Sequence, residues 1–159
     1  MVLELVTLFS REKETALLMF KNMHILKYAF NKLKSDQKDT LRLSSLALSR
    51  LAARLEEDNS ELFIENLKDF KDFERVVDNI NKHAGQADAI LKYFLNFLEN
   101  ISSFKKTRDE LDCPKLFEST MQLYTDKISL ENKVSLINIM FNLNFNLQEP
   151  RVLSKEFLK

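Results

Sequence analysis

The chain is poor in the residues that break helices and build tight turns. Of its 159 residues, one is a glycine, Gly85, and two are prolines, Pro114 and Pro150, whereas average usage would supply roughly eleven glycines. Glycine-rich phosphate-binding loops are therefore excluded, and so are the Asn-Gly and Asp-Gly turns of tight β-hairpins. This composition predicts an all-α fold.

Cysteine and long apolar runs are also scarce. The single cysteine, Cys113, has no partner for an internal disulfide. Glu4 interrupts the apolar opening, so no basic-then-apolar leader is evident. Apolar runs such as Ala16 to Phe20 are far shorter than the roughly 18 residues that cross a bilayer. We therefore expect a soluble intracellular protein, cytoplasmic or nuclear, with no membrane partner.

The charges balance, with 24 basic and 24 acidic residues. Such a chain has no global field to attract nucleic acid. Residues 1–34 carry six basic and three acidic side chains, net +3. No basic face with interleaved aromatic residues is evident there, and so we do not expect nucleic-acid binding.

Catalytic and metal-binding patterns are missing from the sequence. His24 and His83 are far apart and do not form a metal-ligand motif. Cys113 has no identifiable base to activate it. We therefore expect a non-enzymatic protein with no catalytic residue, no metal and no cofactor.

Polar clusters divide the chain into about eight helices. One long helix is predicted from Ser10 to about Lys34. Pro114 suits the first turn of a later helix, because that position needs no backbone N–H. The predicted breaks are at residues 35–39, 58–60, 83–86, 112–114 and 126–129.

Two kinds of helix alternate along the chain. The stretches 67–82 and 116–124 each have one apolar stripe, whereas 88–102 and 130–147 are apolar around most of the circumference. A helix that is apolar on several sides must be covered on several sides. A stack of helical layers supplies that cover, because each inner helix contacts both neighbouring layers.

Comparable blocks recur within the all-round apolar helices. They begin at Leu48, Leu98 and Met140, so that successive blocks are offset by 50 and then 42 positions. The blocks LENI at 98–101 and MFNL at 140–143 resemble the end of the third helix of an armadillo repeat, an apolar pair, a spacer, asparagine and leucine; Leu48 begins a version with arginine for asparagine. Armadillo and HEAT arrays have periods of about 40 to 47 residues.

The resemblance implies a right-handed α-solenoid, an armadillo-like superhelix of about three degenerate repeats. The whole chain, 1–159, would be a single domain. Residues 1–34 would form a partial or capping repeat, followed by approximate repeats at 35–83, 84–127 and 128–159.

In this family the third helices line a concave groove, where asparagine side chains bind the backbone of an extended peptide. An amide suits this role because it offers both an acceptor oxygen and donor hydrogens. The resemblance therefore implies a protein-protein interaction scaffold or adaptor that binds a peptide or helix of a partner protein. The residues it assigns to partner binding are Arg50, Arg54, Lys92, Asn96, Asn100, Asn138 and Asn142.

Family members that bind basic targeting peptides place a tryptophan four residues before the groove asparagine. Here Asn96 and Asn138 occupy those positions and the chain has no tryptophan. We therefore do not expect binding of that peptide class.

Other readings of the same pattern stay open. The asparagines could instead bond neighbouring helices or face solvent. The alternative architecture is a compact all-helical bundle that acts as an oligomerisation or helix-in-groove binding module. Because residues 1–6 and 156–159 are rich in apolar side chains, we expect the ends to continue into a longer array or to pack on a partner or a second copy as a homodimer.

Overall fold

The computed structural model describes residues 1–60, 63, 73–84, 88–111, 113–124 and 127–145, and this part of the chain is all-helical. It holds nine helices and no strand, which confirms the all-α prediction. In chain order the helices are α1 Val2–Phe9, α2 Lys13–Phe20, α3 Met23–Lys32, α4 Lys38–Ala52, α5 Phe73–Ala84, α6 Asp88–Ser103, α7 Lys105–Glu110, α8 Cys113–Met121 and α9 Leu130–Asn144.

Local caps set two of the helix starts. The Asn22 side chain accepts a hydrogen bond from the His24 N–H at 3.1 Å and begins α3, and Ser129 caps α9 by accepting from the Asn132 N–H at 3.3 Å. The cap at Asn22 divides the stretch from Ser10 to Lys34 into α2 and α3. The prediction of one helix there was therefore wrong.

Four helices contact one another in series. Helix α1 packs on α4, α4 on α6, and α6 on α9. A second helix flanks each of the last three: α3 packs on α4, α5 on α6, and α8 on α9. Leu48, Leu98 and Met140 are fully buried on α4, α6 and α9. The predicted core positions are thus confirmed, and both α4 and α6 are covered by an earlier and a later helix.

Phenylalanine rings join segments that lie 43 positions apart in the sequence. The ring centroids of Phe20 and Phe63 are 5.6 Å apart, and those of Phe30 and Phe73 are 5.1 Å apart. Both pairs meet edge to face, the arrangement that aromatic quadrupoles favour. These two ring pairs therefore pack segments that lie far apart in the sequence against each other.

Eight of the nine helices end without glycine; Gly85, which follows α5, lies outside the described residues. No residue of the described ranges has a positive φ, so these eight helices do not end in the left-handed turn that often satisfies the last carbonyl groups. Ser10 after α1 and Ala53 after α4 both keep right-handed helical geometry. Their last carbonyl oxygens are left to side chains, to other backbone N–H groups or to water.

No helix in the described ranges is both long enough and apolar enough to span a membrane.

Candidate interaction surface

The seven predicted partner-binding residues lie on or next to two pairs of adjacent helices. Arg50 and Arg54 are at the seam between α1 and α4. The remaining residues are on α6 and α9, and the seam between these helices is held by side-chain links.

At the first seam, both arginines bind the end of an earlier helix. Arg50 Nη1 donates to the Thr7 carbonyl oxygen at 2.7 Å, and Arg54 Nη2 donates to the Arg11 carbonyl oxygen at 2.7 Å. Thr7 lies in the last turn of α1, where exposed carbonyl groups favour a positive charge. The Arg50 guanidinium group therefore caps α1, and the Arg54 guanidinium group binds the segment just after it.

At the second seam, charged and amide side chains cross between α6 and α9. Lys92 Nζ lies 2.8 Å from Glu131 Oε1, and Asn138 Nδ2 donates to Glu99 Oε1 at 2.8 Å. Both links are partly exposed. They position the two helices at little energetic gain, because water screens such contacts.

Of the other amide bonds, one crosses the seam and one lies within α6. Asn142 Nδ2 donates to Ser102 Oγ at 3.3 Å, and Asn100 Nδ2 donates to the Asn96 carbonyl oxygen one turn earlier on α6 at 2.7 Å. The structure thus brings the four predicted asparagines to one pair of adjacent helices. It links the two arginines to α1 instead.

The order of these links gives the helix direction. Along α6 and α9 the linked positions increase together, at separations of 39, 39 and 40 residues. The end of α4 is linked to α1 in the same manner, both times at a separation of 43 residues. Each of these helix pairs is therefore parallel.

The four amides keep hydrogen-bonding capacity. An asparagine side chain has two N–H donors and one carbonyl acceptor, and the bonds of Asn100, Asn138 and Asn142 each use a single N–H group. Asn96 is half-buried, and no hydrogen bond joins its side chain to the residues that the structure describes. Acceptor oxygens therefore remain along the α6 and α9 seam.

A cleft of about 250 Å³ lies beside α5. Lys82 Nζ lies 3.0 Å from Asp36 Oδ1 at this cleft. The hydrogen bond and charge of Lys82, with a smaller effect of His83, lower the pKa of the Asp36 carboxyl below its usual value. The residues that line the cleft are Lys34, Asp36, Arg75, Asp78, Asn79 and Lys82.

Asn79 at this cleft also closes a helix end. Its Nδ2 donates to the carbonyl oxygens of Leu33 at 2.8 Å and Ser35 at 3.0 Å, just beyond α3. Sequence reasoning did not single out this residue. Its position could have indicated this role, because Asn79 lies 46 residues after Leu33 and 44 residues after Ser35. No glycine caps the carbonyl groups there.

Helix α9 exposes an apolar stripe, contrary to the expectation that it is covered on nearly every side. Leu130, Val134, Phe141 and Phe145 are 78%, 50%, 58% and 68% exposed. The partly buried Ile137 lies between them. The spacing of these residues, three or four positions, places them on one face of a helix. The Phe141 and Phe145 ring centroids are 4.9 Å apart.

Within the described part of the chain, no cluster of three or more His, Cys, Asp or Glu residues could hold a metal ion. The Cys113 side chain, Gly85 and Pro150 lie outside what the structure describes.

No protein-family model, curated protein or solved structure matches this chain.

Proposed function

We propose that this chain is a non-enzymatic protein-protein interaction scaffold, built as an armadillo-like, right-handed α-solenoid. It binds a peptide or helix of a partner protein in a concave groove lined by α4, α6 and α9. The observation that carries this proposal is the contact series α1, α4, α6 and α9, whose linked members run parallel at a nearly constant sequence separation.

The constant separation favours an array over a bundle with a coincidental period. Side-chain links at the two seams, at α5, and between Lys13 and Glu56 join residues 39 to 46 positions apart. This range matches the armadillo and HEAT periods. In a solenoid each repeat contacts its neighbours, so one separation recurs. A bundle has no reason to repeat it.

The proposed peptide contacts rest on the asparagines. The guanidinium groups of Arg50 and Arg54 already bind α1, and Lys92 is paired with Glu131. The amides of α6 and α9 offer both donors and acceptors, which suits the alternating N–H and C=O groups of an extended peptide. Asn96 gives the clearest test of the groove, because removing its side chain breaks no hydrogen bond among the residues that the structure describes.

The test begins with a peptide selected on the full chain from a randomised display library. We expect Asn96→Ala to weaken its binding roughly tenfold, since one lost amide contact costs about 1 kcal/mol or slightly more. Isothermal titration calorimetry measures this change. The melting temperature should stay that of the wild type.

Asn31→Ala is the matched control, because Asn31 is an exposed asparagine on α3, away from the seam. It should leave peptide affinity unchanged. Equal affinity for Asn96→Ala and the wild type contradicts the groove, and so does a selection that yields no binding peptide. A lowered melting temperature for Asn96→Ala assigns the residue a structural role.

A further inference from the structure

The two ends of the contact series both expose apolar faces. Helix α1 buries Leu3 and Val6 against the core. The opposite side of α1 carries four side chains that are each 46% to 52% exposed: Val2, Leu5, Leu8 and Phe9. The exposed stripe of α9, defined above, lies at the other end of the series. Monomeric proteins rarely leave such contiguous apolar surface uncovered.

The α9 stripe corresponds to a surface that is covered on α6. At an offset of 42 positions, Lys92, Leu95 and Glu99 of α6 correspond to Val134, Ile137 and Phe141 of α9. The α6 surface meets α9, because Lys92 and Glu99 bond to it and Leu95 is fully buried. Helix α9 therefore exposes the surface that corresponds to the one with which α6 packs on the next helix of the series.

The α1 face likewise corresponds to core positions. The side-chain links between α1 and α4 both join residues 43 positions apart. When the two helices are aligned at this separation, the four exposed residues of α1 correspond to four residues of α4. These are Ser45, Leu48, Leu51 and Ala52, and all four are buried. Helix α1 is thus an inner helix with one side uncovered by the described residues.

Charge also matches between the two ends. Helix α9 has no basic residue in its last turn, although its C-terminal carbonyl groups favour a cation. Within the chain, Arg54 lies two residues after α4 and donates to a carbonyl just beyond α1. Arg11 lies two residues after α1 and is exposed. In a parallel second copy, Arg11 would lie near the C-terminal end of α9, where the carbonyl groups favour a cation.

We propose that a second copy of this chain seats its α1 face on the α9 stripe, with the two helices parallel. The contact continues the α1, α4, α6 and α9 series from one molecule into the next. Such head-to-tail association is open-ended, because each added copy presents a new α9 stripe. The proposal does not depend on the peptide groove.

The interface is small. Helix α1 has 8 residues and is about 12 Å long, whereas the α9 stripe is about 22 Å long, so α1 covers about half of the stripe. The apolar side chains that meet bury less than about 800 Å² in total. Stable complexes bury more than this, roughly 1200 Å² or above, and so we expect weak association. Sedimentation velocity across the micromolar range should show a mass that rises with concentration, beyond that of a dimer.

Two substitutions identify the faces. Leu5→Glu blocks the α1 face and Phe141→Glu blocks the α9 stripe. Each variant alone should sediment as a monomer. An equimolar mixture should form a one-to-one dimer, because Leu5→Glu keeps an intact α9 stripe and Phe141→Glu keeps an intact α1 face. Tyr28→Glu, at an exposed aromatic residue on α3, is the control and should associate as the wild type does.

The outcomes separate the alternatives. Dimers of Leu5→Glu alone show that α9 pairs with α9, which overturns the head-to-tail contact. A wild type that stays monomeric throughout overturns self-association and leaves both faces to a different protein. Circular dichroism verifies folding; Val2→Glu replaces Leu5→Glu, or Phe145→Glu replaces Phe141→Glu, if the first variant does not fold. Asn96→Ala, the test of the peptide groove, should not change the sedimentation.

Discussion

At the residue scale, side chains from later in the sequence close the ends of earlier helices. Arg50, Arg54 and Asn79 each donate to carbonyl groups 43 to 46 positions before them. This arrangement replaces the missing glycine caps. The same residue types were predicted to bind a partner. The sequence could identify the polar positions of the inner helices, but their bonding depends on which helix end lies beside each one.

The ion pair of Asp36 and Lys82 gives a prediction at this scale. Lys82 lowers the pKa of Asp36 from its ordinary value of 3.8. A lowered pKa in the folded state means that the pair stabilises the fold above the unfolded pKa. That stabilisation is lost as the pH falls through the lower folded value. Lys82→Met should therefore raise the pKa of Asp36 toward 3.8, as measured by carbon NMR of its carboxyl group.

Lys21→Met is the control for this titration, because Lys21 is exposed at the end of α2, away from the cleft. It should leave the pKa of Asp36 unchanged. A carboxyl that titrates identically in Lys82→Met and the wild type contradicts the pairing. His83, whose Nε2 lies 3.9 Å from Asp36 Oδ1, should keep a smaller part of the shift.

At the element scale, apolar periodicity located the long helices and failed at short ones. The stretch 88–102 was predicted as a helix, and α6 spans Asp88–Ser103. Helix α7 was missed because its six residues, KKTRDE, include no apolar side chain. Thr107 on α7 is nonetheless fully buried, and this burial comes from packing on α6. The local sequence pattern does not indicate such contacts between helices.

The capping of α1 by α4 gives a prediction at this scale. Arg50 is half-buried and donates a charged hydrogen bond to the Thr7 carbonyl. Arg50→Met keeps most of the apolar side-chain length and removes the donor. We expect the free energy of unfolding to fall by about 1.5 to 3 kcal/mol, the usual contribution of a hydrogen bond to a charged group. Urea denaturation followed by circular dichroism measures it.

Arg42→Met is the matched control on the same helix. Arg42 is exposed and its Nε lies 4.0 Å from the Asp39 carboxylate, an exposed contact of small value. Its substitution should change stability by less than about 0.5 kcal/mol. Similar losses for both arginines indicate that Arg50 does not act as a helix cap.

At the scale of the whole molecule, the sequence could predict which positions of α4, α6 and α9 are buried but not which faces are uncovered. Leu48, Leu98 and Met140 follow from apolar patterns alone, because each lies on a helix that is apolar on several sides. Whether Val134 or Phe141 is covered depends on a neighbouring helix, and the α9 pattern is the same with or without one. The sequence pattern alone therefore does not indicate which apolar faces are exposed at the two ends of the contact series.

The shape of the molecule distinguishes the array from the bundle. A compact domain of 159 residues has a radius of gyration of about 15 Å. An array whose inner helices follow one another extends along the stacking direction, so its radius of gyration should exceed that value and its distance distribution should be skewed. Small-angle X-ray scattering measures both. The monomeric Phe141→Glu variant is the sample to use, because self-association would lengthen the wild type. A symmetric distribution with the compact-domain radius would assign the chain to a bundle, and the common separation of 39 to 46 residues would then need another cause.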